Sequence, residues 1–223
     1  MGDTLSLFFT ALMATHLVAT APNIPVETWQ LDNGMTVLTV EDHRLPVVAV
    51  EIRYFVGSAN EAAGKTGFAH LFEHLMFQGS ENYNDEYFKP FEPIGGKING
   101  TTSTDRTNYY VRVPSNYLEL VLWMESDRMA GLLPALSQQK LDNQRDVVKN
   151  ERRQSYENRP YGMVWKHMVE GLYPKGHPYH HLTIGSHEDL TAASLDDVKA
   201  FFQQYYGPAN AVITIVGDIN TAE

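Results

Sequence analysis

Phe68-Ala69-His70-Leu71-Phe72-Glu73-His74-Leu75-Met76-Phe77 carries two patterns at once, and both have the period of a helix. At about 100° per residue, Phe68, Leu71, Phe72, Leu75 and Met76 fall on one side. His70, Glu73, His74 and Phe77 fall on the other. The first side is a core stripe. The second is no ordinary solvated face, because two imidazoles lie one turn apart with a carboxylate between them in projection. Two neutral histidines at i and i+4 can hold one zinc ion, and the carboxylate can work on a water bound there.

On the N-terminal side, residues 26–31 and 35–40 read as two strands joined by the turn Asp32-Asn33-Gly34. Residues 46–55 are a further β-rich run, and a loop through 57–67 feeds the helix. Downstream, a short helical stretch broken by Pro90 and Pro93 is expected near 85–94, then strands at 97–104 and 109–113. Helices are expected at 116–130, 137–156, 161–171 and 195–206, with Ser137 and Ser194 as N-caps. Residues 211–216 form a closing apolar strand. Strands and helices alternate irregularly, with no βαβ rhythm and no phosphate-binding glycine loop. The pattern predicts an α+β fold, a mainly antiparallel sheet with helices packed on one face.

The bulk composition narrows the chemistry. A chain of 223 residues can bury a core as one large domain or two small ones. A net charge of -10 with no basic stripe argues against nucleic acid as a partner. The absence of cysteine excludes disulfides, thiolate zinc sites and a cysteine nucleophile. Any metal must therefore be held by His, Asp or Glu. Residues 1–21 read as an export signal: the run from Leu5 is mostly apolar and ends in Ala19-Thr20-Ala21 before Pro22. This places the protein in the periplasm or outside the cell, with the cytoplasm as the alternative. A membrane enters only if the segment is an uncleaved anchor.

A catalytic zinc needs three protein ligands and one open position. On the helix from Ser137, the positions Gln144, Val147, Val148 and Glu151 share a stripe, so Glu151 continues an apolar face. A carboxylate there needs a compensating charge, which zinc would supply. The competing reading pairs Glu151 with Lys149, Arg152 or Arg153 on a charged surface. Periodicity leaves both open.

The spacing H-x-x-E-H is the inverted zinc-peptidase pattern, and the wider run from Gly67 to Ser80 resembles the signature of the pitrilysin/insulinase family of zinc metallopeptidases. The run Val147-Val148-Lys149-Asn150-Glu151-Arg152-Arg153 is similar to the family's metal-glutamate segment. Gly96 to Ser103, His177 to Gly185 and Ile213 to Ile219 match as well, so the likeness covers roughly 26–221 in order. The resemblance implies that His70, His74 and Glu151 are ligands of one Zn2+ per chain, with Glu73 as catalytic base. It implies that Asn99 lies on an edge strand where an extended peptide adds as a further strand. Where the family often carries a supporting glutamate, this chain has Gln144, which keeps polarity beside the metal but not charge.

By the same resemblance, residues 22–223 are the N-terminal domain of the bacterial and mitochondrial-processing type, with the second homologous domain absent. The implied function is a zinc-dependent endopeptidase domain acting on peptides or unfolded protein segments. The alternative is a zinc-bearing peptide-binding or assembly subunit, inactive until a second homologous domain or subunit closes the chamber. His177, His180 and His181 are expected to be structural or exposed rather than a second metal site. Phe77 is expected to pack, with lining a substrate pocket as the alternative, and Asp105-Arg106 to form an exposed turn ion pair, with substrate contact as the alternative.

Overall fold

Gly34 has φ 90°, a left-handed conformation that glycine adopts without steric cost, and it reverses the chain at the expected turn. The computed structural model describes residues 23–222, so the expected export signal at 1–21 lies outside the described residues. β1 (Glu27–Gln30) and β2 (Thr36–Glu41) close the hairpin, with Gln30 opposite Thr36. With β3 (Val47–Tyr54), β4 (Lys97–Thr102), β5 (Thr107–Pro114) and β6 (Ala211–Gly217) they form a six-stranded sheet of order β1-β2-β6-β3-β5-β4. Every neighbouring pair is antiparallel except β2 and β6. The mainly antiparallel α+β expectation holds, and β4 lies at an edge.

The strands have a two-residue burial rhythm that makes the sheet one-sided. Along β3, Val48, Val50, Ile52 and Tyr54 are buried, while Val47, Ala49 and Arg53 are exposed. The inner face packs under α1 (Phe68–Leu75), α2 (Leu118–Ala135) and α6 (Leu195–Tyr205). Phe68, Leu71, Phe72, Leu75 and Met76 are all at most 1 % exposed, so the predicted core stripe is the buried one. Burial of each large side chain contributes about 1.5–3 kcal/mol. Phe72 stacks on Phe201 and Tyr206, with ring centroids 5.5 and 5.0 Å away. These contacts matter because a helix of two turns is not stable by itself.

α3 (Gln138–Arg152) packs against α1, capped by Ser137, whose hydroxyl accepts from Lys140 N at 3.3 Å. It ends at Arg152 and passes into a π-helical turn, Arg153–Glu157, rather than running to 156 as a regular helix. α4 (Val164–Leu172) starts later than expected, because Tyr161 sits at φ 60°, outside any right-handed helix. The expected helical stretch at 85–94 is instead a series of turns with one 3₁₀ turn at Glu92–Ile94. Pro90 and Pro93 each remove a backbone donor that a helix would need. A short helix, α5 (His187–Ala192), was not foreseen. Among the described residues, no helix is long and apolar enough to cross a membrane.

A charged pair lies inside the core. Arg128 and Glu125 on α2 are only 1 % and 3 % exposed at their side chains and make an ion pair at 2.5 Å. Tyr87 donates to Glu125 Oε1 at 2.6 Å. The guanidinium carbon lies 4.3 Å from the Tyr109 ring centroid, 4.4 Å from Tyr87 and 5.8 Å from Phe77. Phe77 comes just after Met76, the C-cap of the motif helix, so this cage backs the end of α1. Packing was the role expected of Phe77, and at 7 % exposure it is buried among these rings.

Candidate metal centre

The polar stripe of α1 faces α3, and there the chain brings three ligating groups together. Ligand atoms of His70, His74 and Glu151 all lie within 4.8 Å of one another, the one such cluster among the described residues. Glu151 Oε2 stands 3.4 Å from His74 Nε2 and 3.7 Å from His70 Nε2. Tetrahedral zinc with ligands at about 2.0–2.1 Å would hold its ligand atoms roughly 3.4 Å apart. The spacing fits. Among the described residues, the buried His70 Nδ1 has no hydrogen-bond partner. Burial, aided by neighbouring His74, holds His70 down at about 4, so its imidazole is neutral at pH 7, as a ligand must be.

Glu151 is not as desolvated as its sequence stripe suggested. Its side chain is 41 % exposed, and Val147 on the supposed apolar stripe is 44 % exposed. Leu141 and Val148 are the buried positions that seat α3 against α1. What holds the Glu151 carboxyl below its ordinary value is first its hydrogen bond with His74, opposed by partial burial. The competing surface pairs do not form: Arg152 binds Glu157 at 2.9 Å, Arg153 binds Asn150 at 2.6 Å and Lys149 binds Thr191 at 2.9 Å.

Glu73 lies between α1 and the edge strand β4. Thr102 donates to its Oε2 at 2.5 Å. Burial pushes the Glu73 carboxyl above its ordinary value, with the Thr102 hydroxyl pulling the other way. A carboxylate so placed is a better proton acceptor than one in water. Gly100 makes the approach of β4 possible, since a Cβ there would come within 3.0 Å of Glu73 Cγ and 3.2 Å of the Tyr109 ring. Neither Thr102 nor Gly100 was singled out from sequence. A glycine inside a strand was the available signal for Gly100.

Beside Glu73 and His74 opens a cavity of about 210 Å³, walled by Phe77, Phe88, Asn99 and Gln144. Asn99 is exposed on β4 and its side chain accepts from Gly100 N at 3.0 Å. Gln144 is half-buried at the cavity wall. The histidines at 177–181 point to separate partners. His181 meets Glu61 at 2.9 Å, His180 meets the Tyr173 carbonyl at 2.8 Å, and His177 accepts from Tyr179 N at 3.0 Å. Asp105 and Arg106 do not pair with each other. Asp105 accepts from the Tyr179 hydroxyl at 2.7 Å, and Arg106 turns inward to Thr101 at 2.8 Å and to Asn108.

Comparison with known proteins bears on the family and the fold. Residues 36–181 match the family described as Insulinase (Peptidase family M16), and residues 192–223 match the Peptidase M16 inactive domain. The zinc protease PqqE of Helicobacter pylori is 36 % identical over 197 residues, covering 87 % of this chain and 44 % of its own length. A protease from Helicobacter pylori of known crystal structure superposes with a TM-score of 0.84 at 35 % identity, over 89 % of this chain and 48 % of the other. The first half of the periplasmic protease PqqL from Escherichia coli superposes at 0.78 with 25 % identity, over 88 % and 43 %. The chain spans less than half the length of each of these relatives.

Proposed function

The chain belongs to the insulinase family of peptidases, family M16, and from that premise we propose that residues 22–223 are a zinc endopeptidase domain acting on peptides or unfolded segments. The observation that carries this reading is the meeting of His70, His74 and Glu151 at 3.4 and 3.7 Å with Glu73 on the same helical face. His70 and His74 would hold zinc through Nε2, and Glu151 through Oε2. When bound, the metal supplies a Lewis acid that acidifies water and polarises a carbonyl.

The remaining steps fall to this chain's own groups. Thr102 fixes Glu73 Oε2, and Oε1 takes the proton from the attacking water. Glu73 then hands that proton to the leaving amine, so the peptide C–N bond breaks without expelling an amide anion. Asn99 and the open edge of β4 would hold the substrate as an added strand, read through its main chain. Gln144 would lend a polar but uncharged group beside the metal. Residues 1–21 direct this domain to the periplasm or beyond it in this reading.

A second reading has a specific observation behind it. The chain covers under half of its relatives' length, and α4 exposes Trp165 at 58 % and Leu172 at 70 %. It describes a zinc-bearing, peptide-binding module that cleaves only when a second homologous domain closes over it. Adding that domain in trans to a quenched-peptide assay separates the two readings. In whichever form cleaves, Glu73→Gln should cut hydrolysis by about 10²–10⁴-fold while zinc stays bound. Cleavage by that variant at the wild-type rate would refute Glu73 as the base.

A further inference from the structure

α1 enters its first turn from Gly67, which offers no side chain to cap it. The orphan N–H groups are met from a distance. Glu61, with a side chain 0 % exposed, accepts from Gly67 N at 2.9 Å and from Ala69 N at 2.8 Å. His181 Nε2 reaches the same carboxylate at 2.9 Å. A buried acid at this end of a helix meets unpaired donors and the positive end of the dipole. Burial pushes Glu61 up, and the donors around it pull back. The hydrogen bond to Glu61 in turn raises His181.

The chain beyond His181 continues the attachment. Gly185 passes so close to Thr66 and Gly67 that a side chain there would collide with both. Asp189 accepts from Thr66 N at 3.0 Å and from its hydroxyl at 2.5 Å. On the other side the same segment holds α3. Arg152, next to Glu151, donates to the Gly185 carbonyl. Lys149 bonds Thr191 Oγ1 at 2.9 Å, and Arg145 bonds the Ala193 carbonyl at 2.9 Å. Residues 181–193 are thus fastened both to the helix that carries His70, Glu73 and His74 and to the helix that carries Glu151.

We propose that Glu61 and His181 are positioning residues that set the depth and rotation of α1 relative to Glu151. The proposal rests on reading His70, His74 and Glu151 as one zinc centre. Neither residue belongs to the His70, His74 and Glu151 cluster or lines the cavity beside Glu73. They act through the head of α1, and the 181–193 segment carries that placement across to α3.

The test uses the whole chain with His181→Leu, which removes the donor, and His181→Gln, whose amide can still donate. Glu61→Gln, which loses one acceptor toward the backbone, is the second route if His181→Leu does not fold. Three quantities are read: amide hydrogen exchange of residues 67–75 in the metal-free protein, zinc affinity by chelator competition, and thermal midpoint. His181→Leu is expected to speed exchange in that segment and weaken zinc about tenfold. His181→Gln should recover both. A fall in thermal midpoint with exchange and zinc affinity as in wild type would overturn the proposal, since the pair would then be merely structural. Failure of His181→Gln to recover either quantity would also overturn it. Wild type that binds no zinc would instead sink the zinc reading, and the exchange data would still decide whether the pair places α1.

Discussion

Removing either partner of the buried Arg128–Glu125 pair should destabilise the chain strongly and unequally. Breaking one side of a buried ion pair typically costs about 3–5 kcal/mol, because the other charge is left without compensation. In Glu125→Leu the stranded guanidinium still faces Tyr109 at 4.3 Å and Tyr87 at 4.4 Å. Desolvated cation–π contacts of this kind return up to about 2 kcal/mol, which puts the cost near the lower end, about 3 kcal/mol. In Arg128→Met the stranded carboxylate keeps, among the described residues, only the Tyr87 hydroxyl at 2.6 Å, so the cost should approach about 5 kcal/mol. For a domain of this size those values correspond to losses of roughly 6–12 °C and 10–20 °C in Tm. The double variant Glu125→Leu/Arg128→Met leaves only a phenol unsatisfied, and should lie within about 2 kcal/mol of wild type. Urea unfolding followed by circular dichroism completes the double-mutant cycle. A double variant as unstable as the sum of the singles would refute the pair as a coupled unit. An Arg128→Met cost below that of Glu125→Leu would refute the role given to the rings.

Other consequences concern pH and specificity. His181 is raised above its ordinary value of 6.5 by Glu61, with Asp189 adding to the effect, so its stabilising contribution is full below that value and fades as pH rises through the raised one. The gap in urea midpoint between wild type and His181→Gln should therefore shrink from about pH 6 to about pH 9, and a widening gap would contradict the sign. Phe88 stacks on Phe77 at 4.7 Å in the wall of the cavity beside Glu73. If the domain cleaves peptides, Phe88→Ala should lower kcat/KM about tenfold for substrates with a bulky apolar side chain next to the scissile bond. Substrates with a small side chain there should be spared, and an equal loss for both would rule out a side-chain pocket.

The features legible in sequence were those written in local periodicity. The 3.6-residue rhythm of Phe68, Leu71, Phe72, Leu75 and Met76 is the buried face of α1, and the Asn33-Gly34 turn is a true hairpin. Less could be read at 85–94, where a helical stretch broken by Pro90 and Pro93 is expected and the chain forms only turns with one 3₁₀ turn at Glu92–Ile94. Long-range pairing left no local trace. β2 and β6 run parallel although they lie at opposite ends of the described chain, and nothing in either strand announces its partner. The site divides in the same way. His70, Glu73 and His74 share one turn of helix, whereas Glu61 and His181 meet across 120 residues of sequence. The sequence stripe points to Glu151 for a reason that holds only in part, because Val147 is exposed and the carboxylate is paired with His74 rather than set in an apolar surround.

The most direct test of the account is zinc content, measured by mass spectrometry on purified wild type, His74→Ala and Glu151→Ala. Three ligand atoms within 4.8 Å predict one zinc per chain in wild type and loss of it in both variants. A Glu151→Ala protein that keeps its zinc would contradict the ligand set on which the proposed chemistry depends.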